Sequence, residues 1–361
     1  MYRRVHIELL RIFAIFFVVL NHTPAYGMPF HTGECSAVTF AMLVISAFIK
    51  VAVPIFFMIA GALLIPKEES FATLLRKRVL RFCLLILLFV GLQYAYYQIV
   101  KVDEAPGIGV TVFLRDLYCG STAHSYVLHA EAVWFLYAYL GLLLTMPFLR
   151  LAVQKITHHH ITYLVGLAAI VGFLLPLAYS IVTAQEPSHN GILARSPFLS
   201  GMGAYMLYAL VGYFIENRLD INSIAWRTCC VLAAASCLAL FLEAASEFLI
   251  VQRTNIKMFD ESIRPFTGLV IIPCATIYIV AKKLFSGMSL PKGVGKWIGY
   301  IGAATFSVFL TEHILRQSLA SYFPCLNIHY LPSFGLALSV TGIGIALGLF
   351  LKRIPVLNKL I

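Results

Sequence analysis

RIFAIFFVVLNH, residues 11–22, places an arginine and a histidine at the two ends of a predominantly apolar run. Eleven positions at about 100° per residue make roughly three helical turns, so Arg11 and His22 share one helix face, about 16 Å apart. An ionisable side chain within a membrane span is costly and normally faces a partner, a cavity or a substrate. Each residue considered alone has a purely structural explanation: Arg11 pairs with Glu8 at the interface, and His22 is a hydrogen-bonded histidine near the opposite interface. Taken together, the two residues favour a functional cavity.

The composition indicates a polytopic membrane protein. Of the 361 residues, 60% are hydrophobic and only 12% are charged, which is not the profile of a soluble core. We find no internal repeat, low-complexity tract or second domain. The sequence therefore predicts an all-α membrane helical bundle in which residues 1–361 form a single domain, with no extracytoplasmic domain.

Apolar runs of about 18 residues or more predict ten transmembrane helices. They cover residues 5–26, 36–65, 79–100, 131–153, 161–184, 198–215, 225–250, 265–285, 296–318 and 333–351.

Basic residues set the predicted orientation. With the N-terminus cytoplasmic, eighteen of the 27 lysines and arginines lie in inner segments, seven lie outside and two lie within spans. This asymmetry predicts that both termini are cytoplasmic. The net charge of +11 is then explained by topology and anionic lipid headgroups, so we expect membrane lipids and no nucleic acid as partners.

Several ionisable residues are predicted to lie in the outer part of their helices. Six such groups on four helices are placed to line one outward-opening cavity, although some of them alternatively just reach the interface. Glu131 opens the predicted fourth span, three residues before Trp134. The six are His22, Glu131, Glu243, Glu247, Glu312 and His313.

The inner face carries the run RKRVLR, residues 76–81. Arg78 and Arg81 are one turn apart at the start of the third span, where a helix N-terminus adds partial positive charge, so with Lys77 they form a candidate phosphate site. Positive-inside topology explains most such clusters equally well. Lys50 stands near the middle of the second span, four residues before Pro54, and is expected to face the interior.

No metal site is predicted. The eight cysteines show no paired metal-binding spacing, and the three consecutive histidines at 158–160 have no second ligand set.

Taken in order, these residues resemble the membrane acyltransferase-3 family. The family's leading signature is an arginine and a histidine separated by ten residues, matched by Arg11 and His22. VPIFFMIAGALL (53–64) is similar to its second-span block, with Ala60 where serine is common, and the arginine pair at 78 and 81 matches its third span. WFLYAYLGLLLTMPFLR (134–150) is similar to the fourth-span block, although Ala132 stands where a histidine is often found. TFSVFLTEHILR (305–316) is similar to the penultimate-span block.

The resemblance implies transfer of an acyl group, usually acetyl, from cytoplasmic acyl-CoA to a hydroxyl of a sugar or cell-envelope glycan. No bound cofactor is expected, because acyl-CoA is a co-substrate. We expect a protein of a bacterial cytoplasmic membrane that delivers the acyl group itself or passes it to a separate partner protein.

Site roles follow from the resemblance combined with the layout. Lys77, Arg78 and Arg81 would hold the CoA phosphates, and the pantetheine arm would pass Arg11 in one continuous cavity towards His22. There the imidazole would act as general base or as a transient acyl carrier. Four residues remain alternatives for orienting the imidazole or binding sugar hydroxyls, and three more are assigned to substrate binding. The four are Glu312, His313, Glu131 and Glu243, and the three are Glu8, Lys50 and Trp134.

Two other classes of function stay open on the sequence. A proton-coupled transporter or flippase of a glycan precursor would use the same histidine and glutamates to bind or relay protons. A non-catalytic membrane module of a polysaccharide machine would need none of them.

Overall fold

The computed structural model describes residues 4–27, 36–100, 110–119, 133–184, 202–254, 268–288, 290–323 and 330–355. Within these ranges every regular element is a helix and no β-strand occurs, which confirms the predicted all-α class.

The chain forms fifteen α-helices in the described ranges, with two π-helical segments and one 3₁₀ turn. The helices are α1 Val5–Asn21, α2 Pro24–Gly27, α3 Ala37–Ile49, α4 Ala52–Leu64, α5 Phe71–Leu74, α6 Leu80–Val100, α7 Val110–Cys119, α8 Val133–Ala152, α9 His158–Ala169, α10 Leu175–Thr183, α11 Met202–Asn217, α12 Trp226–Thr254, α13 Ile271–Phe285, α14 Lys292–Tyr322 and α15 Tyr330–Leu351. The π-helical segments are Leu75–Val79 and Ile170–Leu174, and the 3₁₀ turn is Ile221–Ser223.

Six helical stretches in the described residues are long and apolar enough to cross a membrane. They are Ala37–Leu64, Trp134–Ala152, His158–Thr183, Trp226–Ile250, Gly293–Tyr322 and Tyr330–Leu351. The described helices α1, α11 and α13 have 17, 16 and 15 residues, fewer than the roughly 20 that span a bilayer, and parts of the predicted sixth and eighth spans lie outside the described residues. The molecule is an integral membrane protein, and the total of ten spans stays a prediction.

The predicted second span is interrupted at its centre. Helix α3 ends at Ile49 with Lys50 as its C-cap, and α4 begins at Ala52. Pro54 explains the break, because proline lacks an N–H and its ring clashes with the carbonyl four residues earlier, which belongs to Lys50. The fifth span is likewise irregular, since a π-helical segment lies directly before the Leu175–Thr183 helix, in which Pro176 occupies the first turn.

Helix α1 occupies a central position and packs against α4, α13, α14 and α15. The largest interface joins α4 to α11, where small residues allow the backbones to approach closely. A Cβ on Gly61 would lie 1.9 Å from the carbonyl oxygen of Ala209, and one on Gly212 would lie 2.1 Å from that of Met58. Helix α12 is more peripheral and packs against α3, α10 and α13.

Candidate active site

A histidine and a glutamate from opposite ends of the chain meet between α1 and α14. His22 is the C-cap residue of α1, and its Nδ1 lies 2.7 Å from Oε1 of Glu312. The Glu312 side chain is completely buried, and that of His22 is 11% exposed. A carboxylate at this distance from Nδ1 fixes the ring orientation, so Nε2 points away from Glu312. We refer to His22 and Glu312 as the dyad.

The next turn of α14 adds a positive charge to the dyad. Arg316 Nε lies 3.7 Å from Oε2 of Glu312, the carboxylate oxygen that does not face His22. One terminal nitrogen of Arg316 lies 3.4 Å from Nδ1 of His313, which is itself buried. A buried carboxylate needs such compensation, because an unpaired charge in a low-dielectric interior is strongly destabilising.

A cavity of about 610 Å³ lies between α1, α4, α6, α8 and α14, well within the size range of ligand pockets. Its lining contains six cationic side chains and one acidic one, and we call it the basic cavity. The cations are Arg11, Lys67, Lys77, Arg78, Arg81 and Lys352, and the acid is Glu69. This charge balance suits an anionic ligand.

The π-helical segment positions the predicted phosphate site. Lys77 and Arg78 lie within Leu75–Val79, where the Leu80 N–H bonds back to the Leu75 carbonyl five residues earlier. A π-bulge widens one turn and changes the direction of its side chains, and such bulges are frequent at functional sites. Lys77, Arg78 and Arg81 all line the basic cavity, and their binding of a common phosphate ligand stays a prediction.

Glu69 fixes the rim of the basic cavity. Its Oε1 accepts hydrogen bonds from Arg78 Nε at 2.8 Å and from Arg150 at 2.9 Å. Arg150 also donates to the carbonyl oxygen of Leu64 at 3.0 Å, so α8 is tied to the segment that carries Lys67. Arg78 is therefore held through its Nε, and this bond fixes the direction of the guanidinium group at the rim.

Two ionisable groups at this rim are perturbed. Burial alone would raise the pKa of Glu69, but hydrogen bonds from Arg78 and Arg150 outweigh it and hold that pKa below its usual value. Partial burial and the nearby Arg78 charge lower the pKa of Lys67. Arg78 contributes to both shifts, which reflects the positive charge gathered at this rim.

Arg11 enters the basic cavity from α1. Its NH1 lies 3.2 Å from both carboxylate oxygens of Glu8, one turn earlier, so the predicted local pair is present. Glu8 is buried against Gly302 of α14, where a Cβ would lie 2.2 Å from Glu8 Oε2. Only glycine allows this close approach, which anchors Arg11 at the junction of α1 and α14.

Aromatic side chains make up much of the rest of the lining. Phe306 and Phe309 of α14, Phe135 and Tyr139 of α8 and Phe82 of α6 all line it. Phe309 is the last α14 residue in the lining, and Glu312 follows it after three residues, about 4.5 Å along the helix axis. His22 is not a lining residue. This cavity by itself therefore does not join Arg11 to His22, and the continuous passage between them stays a prediction.

A family model described as an acyltransferase domain, that of the acyltransferase-3 family, matches residues 4–353. The chain belongs to the acyltransferase-3 family. The resemblance of its motifs is thereby confirmed, and the protein is a membrane acyltransferase. No curated protein and no solved structure gave a significant match.

Three predicted substrate-binding residues of the acyltransferase lie away from the basic cavity. Lys50 occupies the break between α3 and α4. Trp134 packs near Tyr205 and Phe135, with ring centroids 6.3 Å apart in each case. Glu243 is buried on α12 and accepts a hydrogen bond from the Leu269 N–H at 3.1 Å. Glu131 lies outside the described residues.

Four residues of the acyltransferase site are not predicted from the sequence. Lys67 and Lys352 enter the orientation count as inner-side charges, and no neighbouring residue marks Glu69 as the acid of a basic site. Arg316 was counted as an outer-side charge, although its spacing of four residues from Glu312 is that of a helical ion pair. That spacing is the one signal in the sequence that could have identified a member of this group.

Proposed function

We propose that this acyltransferase takes an acetyl group from cytoplasmic acetyl-CoA and transfers it to a hydroxyl of a sugar or cell-envelope glycan. The observation that carries the proposal is the arrangement along α14. A cavity with six cationic lining residues ends one helical turn before a buried histidine–glutamate dyad.

The basic cavity supports a phosphate-bearing donor. Arg78 and Arg81, with Lys77, offer charge-assisted hydrogen bonds, each of which contributes roughly 1.5–3 kcal/mol. Lys67 and Lys352 widen this cationic rim. The remaining lining of the cavity is mainly apolar and aromatic, which suits the acyl end of a pantetheine arm better than a second charged group.

The dyad supports attack by a hydroxyl on a thioester. His22 Nδ1–H donates to Glu312, so Nε2 carries the lone pair and accepts the proton of the acceptor hydroxyl. The hydroxyl oxygen forms a bond to the acyl carbonyl carbon, and the carbon–sulfur bond breaks. The leaving CoA thiolate takes the proton from Nε2, which returns the imidazole to its neutral form and closes the balance.

The orientation rests on the distribution of basic residues. With both termini cytoplasmic, the cationic rim of the basic cavity faces the cytoplasm, where acyl-CoA is found, and the dyad lies towards the outer face. The acceptor then approaches from the outside, as expected for a sugar or glycan of the envelope.

The test is transfer from labelled acetyl-CoA by the purified protein in liposomes. Label should appear on added envelope glycan with the native chain and fall by about 10²–10⁴-fold with His22→Gln, the usual range for loss of a general base. Mass spectrometry of glycans from cells with and without the gene identifies the acceptor. Label that crosses the membrane unchanged would instead support a transporter, and unaltered glycan acetylation in the His22 variant would refute the mechanism.

A further inference from the structure

Two phenylalanines from different helices line the basic cavity at the end nearest the dyad, and we call this pair of rings the end wall. Phe135 of α8 and Phe309 of α14 meet edge to face, with ring centroids 5.0 Å apart. Both are buried, with only 8% and 6% of their surface exposed. Phe309 also lies nearly parallel to Phe306 at 6.3 Å, so three aromatic rings cluster here.

On α14 this wall is the part of the cavity lining nearest the dyad. Phe309 lines the cavity, and Glu312, three residues later, bonds His22 at 2.7 Å. Residues three apart on a helix are neighbours on its surface. A thioester carbonyl that moves along α14 from the cavity towards His22 therefore meets Phe309 last within the lining.

We propose that Phe309, supported by Phe135, determines the length of the acyl group that this enzyme transfers. The inference rests on the proposed function, in which the acyl end of the donor reaches this wall. For the acyl group to contact His22, the Phe309 ring has to turn aside, and the space that it vacates is about that of one phenyl ring. A two-carbon acyl group fits such a space, whereas a longer chain has to displace further buried side chains.

The packing of the surroundings supports selection by length. The Phe135 ring also packs against that of Phe57, with centroids 5.3 Å apart, and Phe57 is stacked on Tyr205 at 4.6 Å. Close-packed interiors resist displacement of even one methylene. Each methylene in a shaped apolar pocket typically changes discrimination by about 10–200-fold.

The experiment compares acetyl-, butyryl- and hexanoyl-CoA as donors for the native enzyme and for Phe309→Ala. The native enzyme should prefer acetyl-CoA. In the variant, the ratio of kcat/KM for butyryl-CoA to that for acetyl-CoA should rise by about tenfold or more, because the removed ring opens space for the longer chain. Phe135→Leu, a milder change in the same wall, should shift the ratio in the same direction.

The matched control is Phe16→Ala. Phe16 lies on α1 and packs against Phe17 and Phe334, outside the cavity lining, so its loss should leave the donor ratio unchanged. Calorimetry with CoA establishes that each variant is folded and still binds the donor.

The outcomes separate this inference from the proposed function. A native protein that transfers no acyl group from any of the three donors refutes the proposed function. A native enzyme that transfers acetyl, with an unchanged donor ratio in both Phe309→Ala and Phe135→Leu, refutes the role of the wall. A native preference for hexanoyl-CoA also refutes it.

Discussion

Glu312→Gln is the change that most directly tests the dyad. Glutamine has nearly the same size and can still accept the His22 Nδ1–H through its amide oxygen, so the geometry of the 2.7 Å contact can persist. The substitution removes the negative charge beside His22. It also removes the ion pair between Glu312 and Arg316, whose atoms lie 3.7 Å apart. It therefore separates the charge of the carboxylate from its shape.

The expected loss has a lower and an upper bound. A hydrogen bond to a charged group contributes about 1.5–3 kcal/mol and a neutral one about 0.5–1.5 kcal/mol. The difference of roughly 1–1.5 kcal/mol, felt when His22 becomes positively charged in the transition state, corresponds to about a tenfold lower kcat. The amide can also present its NH₂ to Nδ1, which places the proton on Nε2 and abolishes base function in that fraction. The upper bound is the full general-base contribution of about 10²–10⁴-fold.

The assay is steady-state transfer from acetyl-CoA across pH, together with calorimetric binding of CoA. The kcat should fall while the Kd for CoA stays unchanged, since neither residue of the dyad lines the basic cavity. Glu247→Gln is the control, because Glu247 is an equally buried carboxylate, 1% exposed, on α12. A native kcat and an unchanged pH profile in the Glu312 variant would refute the assignment of Glu312 as the residue that positions His22.

Two further predictions concern the donor site and the orientation. Arg78→Ala and Arg81→Ala should each weaken CoA binding by about ten- to a hundredfold in calorimetry. The control is Arg76→Ala, which should leave CoA binding unchanged because Arg76 is exposed and outside the cavity lining. Unchanged affinity in the double variant of Arg78 and Arg81 would leave the cluster with only a topological role. A cysteine introduced beside Ile361 should resist an impermeant maleimide in intact cells, measured against the background of the eight native cysteines, and rapid labelling there would overturn the cytoplasmic placement of the C-terminus.

The fold class could be predicted because membrane insertion imposes long apolar runs, and helices are what such runs form. The exact course of those helices depends on single residues. The break after Ile49 is a local consequence of Pro54, so it can be predicted from the position of this proline in the sequence. The π-helical turn at Leu75–Val79 has no comparable marker, since RKR and its neighbours are compatible with an ordinary helix.

The partner of His22 could be narrowed but not chosen from the sequence. His313 and Glu312 are adjacent on α14 and differ by about 100° in direction. Which of them faces α1 depends on how α14 is rotated in the bundle, and that rotation is set by contacts far along the chain, such as Gly302 against Glu8. The structure places Glu312 on His22 and leaves His313 beside Arg316. Tertiary packing therefore determines that Glu312, and not the adjacent His313, is the partner of His22, and the local sequence pattern does not distinguish the two.

The cationic rim of the basic cavity shows why positive-inside counting conceals binding residues. Lys67 and Lys352 satisfy the orientation rule whether or not they bind anything, because the rule depends on which side a charge occupies and not on where its side chain points. In the structure both converge on the same cavity as Arg78, from segments almost three hundred residues apart in the chain. Orientation and donor binding demand the same charge at the same membrane face. A basic residue that serves both needs is therefore recognised only once the helices that carry it have been packed together.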